Sequence, residues 1–132
     1  MSSVVFAGGR CYSAFMQKPI QLLLPWPPSV NHYWLQRGKA RFISPRGKAF
    51  RHAVAEECAM QGVTPLDGRL AVHVALWPPD KRRRDIDNLL KALLDACEHA
   101  GCYADDNQIS ELHIIRHEVQ RGGRCTIVIL PT

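Results

Sequence analysis

The sequence predicts an α/β fold in which a small mixed β-sheet is flanked by two α-helices, in the order β-α-β-α-β-β. Three observations lead to this prediction. Short apolar or alternating segments typical of strands begin at Ile20 and Arg69. A wide apolar stripe at helical spacing follows the second of them. Two further strand-like segments end the chain. A β-α-β connection permits parallel pairing and a closing hairpin is antiparallel, so the sheet should be mixed.

The first half of the chain contains a strand, an exposed segment and a helix. The strand is predicted at 20–24, because its apolar run is stopped by a proline-rich stretch that fixes a turn. Residues 31–46 are polar, aromatic and basic, which indicates a long loop or an exposed hairpin. Ser44 as N-cap and Pro45 at the first helical position predict the start of a helix, and Gly62 predicts its end.

The second half carries the segment that bears the candidate site. Alternating apolar residues predict a strand at 69–77, and the apolar stripe predicts a helix at 85–100 that ends at Gly101. Strands are predicted at 109–118 and 125–130. The glycines of Arg121-Gly122-Gly123 predict a hairpin turn between them.

Length and composition limit the class of protein. With 132 residues, the chain is long enough for one domain with a core of its own. No apolar run approaches the roughly 18–20 residues of a membrane span. The five cysteines are scattered without a paired motif, which favours reduced, buried thiols and a cytoplasmic location. Residues 1–18 are interpreted as an N-terminal extension, either flexible or an artefact of the assigned start, and residues 19–132 as the single domain.

The charge distribution favours a polyanionic partner. The formal net charge is +5, and arginine, whose planar head suits phosphate, supplies much of the positive charge. Two groups of cations are predicted to bind nucleic-acid phosphates; the alternative for each residue is a solvated charged surface. Tyr33 and Trp34 are candidates for stacking on unpaired bases. The two groups are Arg82, Arg83 and Arg84, and then Arg37, Lys39, Arg41, Arg46 and Lys48.

Clustered carboxylates beside cations indicate metal-dependent chemistry on a nucleic-acid backbone. Asp85 and Asp87 follow the arginine run, and Asp105 and Asp106 follow the helix. Clustered carboxylates repel phosphate unless a divalent cation lies between them. The alternative is structural: Asp87 caps the helix, and the later pair belongs to an ordinary turn. A helix of about 15 residues is some 22 Å long, so residues 101–106 must run back along the sheet for the carboxylates to meet.

Lys91 extends this pattern by one helical turn. Helical spacing places it on the same polar face as Asp87 and Asp95. It can either form a weak ion pair with one of them or reach over the carboxylates toward a phosphate.

These residues carry a resemblance to a known family. The run from Asp80 to Ala92, followed by Asp95-Ala96, Ala100-Gly101 and Asp105-Asp106-Asn107-Gln108, resembles the motif of the RusA family of Holliday junction resolvases. Residues 24–31 resemble its opening segment, and Gly122-Gly123-Arg124 resembles the turn before its closing strand. The resemblance covers about residues 20–130, with the motifs in the same order.

The resemblance implies a homodimeric endonuclease that needs a divalent metal, usually Mg²⁺ with Mn²⁺ as a substitute, and that introduces paired nicks into four-way DNA junctions. By correspondence, Asp85, Asp87 and Asp106 would be the catalytic, metal-binding carboxylates, and Lys91 the essential lysine. Carboxylate oxygens are the ligands that Mg²⁺ prefers, and a bound metal lowers the pKa of a water and offsets charge on the leaving oxygen.

Two alternatives stay open at this point. The first is a metal-dependent nuclease that acts on other branched DNA. The second is a non-catalytic nucleic-acid-binding protein in which the aspartates serve only as caps and turns.

Overall fold

The protein is described by a computed structural model, which covers the backbone of residues 5–7 and 10–12 and all of residues 17–132. In chain order, its strands and helices are β1 (Val5–Ala7), β2 (Arg10–Tyr12), β3 (Ile20–Leu24), α1 (Val30–Tyr33), β4 (Trp34–Arg37), β5 (Ala40–Ile43), α2 (Pro45–Gln61), β6 (Leu70–Trp77), α3 (Leu90–His99), β7 (Ile109–Arg116) and β8 (Arg124–Pro131).

A four-stranded mixed sheet confirms the predicted α/β class. Its strand order is β3-β8-β6-β7, and two-stranded hairpins β1-β2 and β4-β5 stand apart from it. Strands β6 and β7 are parallel, as expected for strands joined by a helix, and β8 is antiparallel to both β3 and β6. The exposed hairpin expected within residues 31–46 is β4-β5.

The predicted hairpin between the last two strands is wrong. Gly122 and Gly123 do adopt positive φ of 88° and 70°, so the chain turns there. However, β8 does not pair with β7; it crosses to the middle of the sheet, between β3 and β6. The physical reason is burial: Cys125, Ile127 and Ile129 are all 0% exposed, whereas β7 is mostly exposed and suits an edge.

Both long helices pack on one face of the sheet and enclose the core. Helix α2 begins as predicted, with the Ser44 hydroxyl accepting from Gly47 N at 2.9 Å, and it ends at Gly62. Its buried side chains, such as Phe50 and Val54, meet Leu93 of α3 and the inward residues of the sheet in a single cluster. Burial of such apolar side chains is the main term that stabilises a domain of this size.

The thiols outside residues 1–16 behave as predicted. Cys58, Cys97, Cys102 and Cys125 are free and buried, and the sulfur atoms of Cys58 and Cys102 are 3.6 Å apart. Burial raises the pKa of Cys125 to about 12, so this thiol stays protonated near neutral pH.

Most of the predicted N-terminal extension lies outside the described side chains. Within the described part, Gln17 is joined to the domain, since its side-chain amide donates to the Asp67 carbonyl at 3.0 Å and its oxygen accepts from Asp67 N at 2.6 Å. Among the described residues, no helix has the length and apolarity needed to cross a membrane.

Candidate active site

Asp85 and Asp87 lie just before α3, at the end of the sheet where β6 stops. A 3-10 turn, Ile86–Leu89, precedes the helix, and Asp85 occupies its N-cap position without a side-chain cap. The interpretation of Asp87 as the cap of the long helix is wrong, because Asp87 lies inside this turn and α3 begins at Leu90. Both carboxylates are exposed, and neither accepts a hydrogen bond within residues 17–132. Asp85 and Asp87 therefore have no role as helix caps or as hydrogen-bond acceptors in this part of the structure.

Lys91 and Asp95 differ in how they are held. Asp95 accepts from Arg51 at 2.7 Å and from the Tyr33 hydroxyl, which joins α1, α2 and α3. Burial, together with Asp95, raises the pKa of Tyr33. Lys91 is exposed, and across the part of the chain that the structure describes it joins no ion pair. The alternative in which Lys91 pairs with Asp87 or Asp95 is therefore not found there.

A carboxylate cluster lies at the opposite end of α3. Glu98, Asp105 and Asp106 each offer an oxygen within 4.8 Å of the others. Glu98 accepts from Asp106 N at 2.8 Å, and Asp105 accepts from Asn107 N at 2.8 Å. The Gln108 side-chain oxygen accepts from Asp105 N at 3.1 Å, which completes a capping box. Backbone N–H groups thus hold the carboxylates of Glu98 and Asp105, and the Asp106 carboxylate lies beside them.

Asp106 does not reach Asp85 and Asp87 within one copy of the chain. The helix rise places Asp87 and Glu98 on the order of 17 Å apart along the axis of α3. The segment after Gly101 does not run back: Cys102 and Tyr103 are buried beside the end of α3, and the Tyr103 hydroxyl donates to the Leu94 carbonyl at 2.6 Å. The predicted convergence is therefore absent from the single chain, while the roles of the residues stay predictions.

The chemistry of the cluster fits a hard divalent cation. All three donors are carboxylates, and oxygen ligands at about 2.1 Å from Mg²⁺ can lie up to about 4.2 Å apart, close to the spread observed here. The sequence prediction missed Glu98. A usable signal was present, because a carboxylate in the last turn of a helix opposes the helix dipole unless it has another partner.

The three consecutive arginines beside Asp85 are not equivalent. Arg84 is held internally: its guanidinium donates to Asp80 at 2.8 Å and lies 5.7 Å from the Trp26 ring centroid. Its carbonyl also accepts from Arg116 at 2.6 Å. The hydrogen bond that Arg84 donates to the Asp80 carboxylate lowers the pKa of Asp80 to about 2. Arg82 and Arg83 are exposed, so they are the more accessible cations of the group.

The second basic group is exposed on the β4-β5 hairpin and the first turns of α2. The two aromatic residues proposed to stack on bases differ in how they are covered. Tyr33 is 0% exposed, so this hypothesis is wrong for Tyr33. The Trp34 ring carries the Arg41 guanidinium 4.1 Å from its centroid, which covers one face.

Comparison with known proteins places these motifs in a single family. The family model described as Endodeoxyribonuclease RusA matches residues 25–130. This range includes both ends of α3, the arginine run and the turn at Gly122-Gly123.

Individual relatives agree with the family match. The chain is 41% identical over 110 residues to the crossover junction endodeoxyribonuclease of Enterobacteria phage HK97, covering 83% of this chain and 92% of the relative. It is 37% identical over 113 residues to the protein of the same name from Escherichia coli strain K12, covering 82% and 91%. The corresponding protein of Enterobacteria phage 82 is 39% identical over 112 residues, with the same coverage of 82% and 91%.

Proposed function

The chain belongs to the RusA family of endodeoxyribonucleases, and from this premise we propose that it resolves four-way DNA junctions by paired, symmetric nicks that require Mg²⁺. The observation that carries the proposal is the extent of the match. It covers residues 25–130 and thus every carboxylate, lysine and arginine of the candidate site. The proposed location of this activity is the cytoplasm.

The proposed metal ligands are Asp85, Asp87 and Asp106, with Mn²⁺ as a substitute for Mg²⁺. A bound divalent cation would supply a more acidic water and would offset charge on the leaving oxygen. The chain's own contribution is to present exposed, uncapped carboxylates at one end of α3 and, at the other end, Asp106 beside the hydrogen-bonded carboxylates of Glu98 and Asp105. Lys91, free of ion pairs within residues 17–132, would donate to the phosphate oxygens as negative charge develops on them.

A homodimer would reconcile this ligand set with the distance between the two ends of α3. A four-way junction with two symmetric cuts calls for a two-fold symmetric enzyme. We propose that the dimer brings the partner subunit's Asp106 to Asp85 and Asp87, so that each site takes residues from both copies. What supports this is the separation on the order of 17 Å within one chain.

The two basic groups are proposed to bind the DNA backbone. For duplex DNA, the logarithm of the binding constant falls with the logarithm of the salt concentration, and each phosphate neutralised by an arginine or lysine steepens that slope by about 0.9. Arg82 and Arg83 are exposed beside Asp85, and they would hold phosphates that flank the cut. Arg84 is half-buried and bound to Asp80, so it would position this segment as well as contribute charge.

The experiment that tests the function is cleavage of a synthetic four-way junction by purified protein, with and without Mg²⁺. Wild type should produce paired nicks with 5′-phosphate and 3′-hydroxyl ends. Asp87→Asn should lose cleavage while retaining junction binding. Glu56→Gln is the control, since Glu56 is an exposed carboxylate of α2 whose partner is His52. Undiminished cutting by Asp87→Asn would refute the assignment.

The two alternatives give different results in the same assay. A nuclease for other branched DNA would cut three-way or flap substrates faster than the four-way junction. A non-catalytic binding protein would bind without metal and leave every substrate intact in Mg²⁺. The cap role that this second alternative needs is found for Asp105, but neither Asp85 nor Asp87 caps a helix with its side chain.

A further inference from the structure

A cleft that Asp85 and the arginine run line also contains residues without a role in the function proposed above. Its volume is about 890 Å³, and it lies between the proline-rich segment after β3 and the arginine run before α3. This is within the range of roughly 300–1,000 Å³ that small-molecule sites occupy.

The walls of the cleft are stiff. Prolines at 25, 27, 28 and 79 line it, and proline fixes the backbone φ angle. Behind the wall, Gly123 packs so tightly that an added Cβ would lie 3.0 Å from the Trp26 Cβ and 3.1 Å from Pro79. The shape is therefore set before any ligand arrives, which lowers the entropic cost of binding.

The lining has two chemical zones. Phe50 and Leu89, each 4% exposed, form an apolar floor. His32, Arg46 and Arg83 are exposed and supply polar and cationic groups at the rim. A flat apolar floor beneath a cationic rim matches a single nucleotide, whose base is apolar on its faces and whose phosphate is an anion.

We propose that this cleft binds one unstacked nucleotide of the DNA strand next to the phosphodiester that is cut, with His32 and Arg46 as its polar contacts. The inference rests on the proposed function, because Asp85 lines the same cleft, so a strand whose phosphate lies at Asp85 passes its mouth. The base occupies the floor, and the flanking phosphate lies at the rim.

His32 lines the cleft with one ring nitrogen already bonded. Its Nδ1 lies 3.0 Å from the Ser29 hydroxyl, which fixes the ring and leaves Nε2 without a partner among the side chains of residues 17–132. A ring nitrogen fixed in this way can exchange one hydrogen bond with a base edge. Arg46, on the first turn of α2, supplies a bidentate donor for the phosphate.

The test is binding of four-way junctions that each carry one abasic residue at a different position around the crossover, measured by fluorescence anisotropy in EDTA. In wild type, one position next to the cut should weaken binding about tenfold, since a stacked base is lost there. A 2-aminopurine at that position should brighten when wild type binds, because the base leaves the helical stack.

Two matched double variants decide the assignment. His32→Ala with Arg46→Gln should abolish the difference between the sensitive position and its neighbours. His52→Ala with Arg121→Gln removes the same residue types from exposed positions outside the cleft, and it should retain the full abasic effect.

Equal abasic effects in both variants, or no sensitive position in wild type, would overturn the proposal. If the first variant fails to fold by circular dichroism, the wild-type abasic profile and the 2-aminopurine signal still decide it. Absence of cleavage in Mg²⁺ is measured separately and counts against the proposed function, whereas the binding results hold without it.

Discussion

The two ends of α3 carry the same kind of side chain in different settings. At the C-terminal end, backbone N–H groups donate to the Glu98 and Asp105 carboxylates, and the Asp106 carboxylate lies within 4.8 Å of both. At the N-terminal end, Asp85 and Asp87 are exposed and do not cap a helix, and they follow three arginines. Two carboxylates at the first end have backbone donors, whereas those of Asp85 and Asp87 have no hydrogen-bond partner within residues 17–132.

This difference indicates that the two ends of α3 have different roles in binding metal and phosphate. Backbone hydrogen bonds to a carboxylate favour its charged form and fix its position, so the C-terminal cluster is ready to receive a cation. Exposed carboxylates beside free cations gain partners only when metal and phosphate arrive together. A dimer that joins the two ends would combine a prearranged half-site with a substrate-dependent one.

The largest effect should come from mixing two inactive variants. Asp87→Asn and Asp106→Asn should each lower cleavage by about 10²–10³-fold or more, as expected when a group that stabilises transition-state charge is lost. In a mixed dimer with shared sites, one site has both changes and the other has neither. About half of the dimers formed by random subunit exchange are mixed, so co-refolding should restore nicking of one strand.

Continued inactivity of the mixture would contradict the shared site. The control is to mix each variant with itself, which keeps the protein concentration constant. Size-exclusion chromatography of the mixture must show the dimer, since without it the experiment argues against a dimeric site.

Lys91→Ala tests whether Lys91 takes part in cleavage or only adds positive charge that binds DNA. Because Lys91 has no ion pair within residues 17–132, its ammonium is available to the phosphate, and its loss should lower kcat by about 10²-fold with little change in the Kd for the junction. Lys81→Ala is the control, an exposed lysine ahead of the arginine run. If both variants lose only salt-dependent affinity, Lys91 is a backbone contact and nothing more.

Glu98→Gln tests whether the carboxylate cluster at the C-terminal end of α3 binds a metal. If Glu98 holds or orients a metal ligand, the Mg²⁺ concentration for half-maximal cleavage should rise about 10–100-fold. Mn²⁺ binding followed by electron paramagnetic resonance gives a readout that does not depend on cleavage. Glu111→Gln, on exposed β7, should leave both measurements unchanged. An unchanged Mn²⁺ affinity in Glu98→Gln would remove Glu98 from the site.

Much of the fold was predictable because local and global signals agree. Ser44, Pro45 and Gly62 delimit α2 through capping chemistry that depends on neighbouring residues alone. The central position of β8 was not predictable in this way. It depends on competition among strands for burial, and the glycine turn is compatible with either pairing.

The candidate site, like the sheet, was predictable from the sequence only where it depends on neighbouring residues. The types and spacing of Asp85, Asp87 and Lys91 could be identified from the sequence. The distance from Asp106 to Asp85 and Asp87 could not be predicted, because it depends on whether residues 102–103 are buried beside α3 or continue along the sheet. Glu98 was missed for a related reason: its partner, Asp106 N, is eight residues away along the chain and adjacent only after folding.

Asp95 lies between the two ends of α3 and should matter for stability rather than for cleavage. It and Arg51 are only 25% and 23% exposed, and Asp95 also accepts from Tyr33. Asp95→Asn should lower the free energy of unfolding by about 1–3 kcal/mol, because the neutral amide no longer pairs with the charge of Arg51. Glu56→Gln breaks a pair in which Glu56 is 64% exposed, and it should cost less than about 0.5 kcal/mol. Urea unfolding measures both, and equal losses would contradict the distinction.

The smallest effect concerns the charge balance at the N-terminal end. Arg84 donates to Asp80, which lowers the pKa of Asp80 from its ordinary value of 3.8 to about 2. A lowered folded-state pKa means that this contribution to stability is fully present above pH 3.8 and is lost as the pH falls through about 2. An NMR titration of the Asp80 carboxyl should therefore give a midpoint near 2, and Arg84→Gln should return it toward 3.8. A midpoint already at 3.8 in wild type would mean that Arg84 is free, and it would then join Arg82 and Arg83 as an accessible phosphate contact at this end of α3.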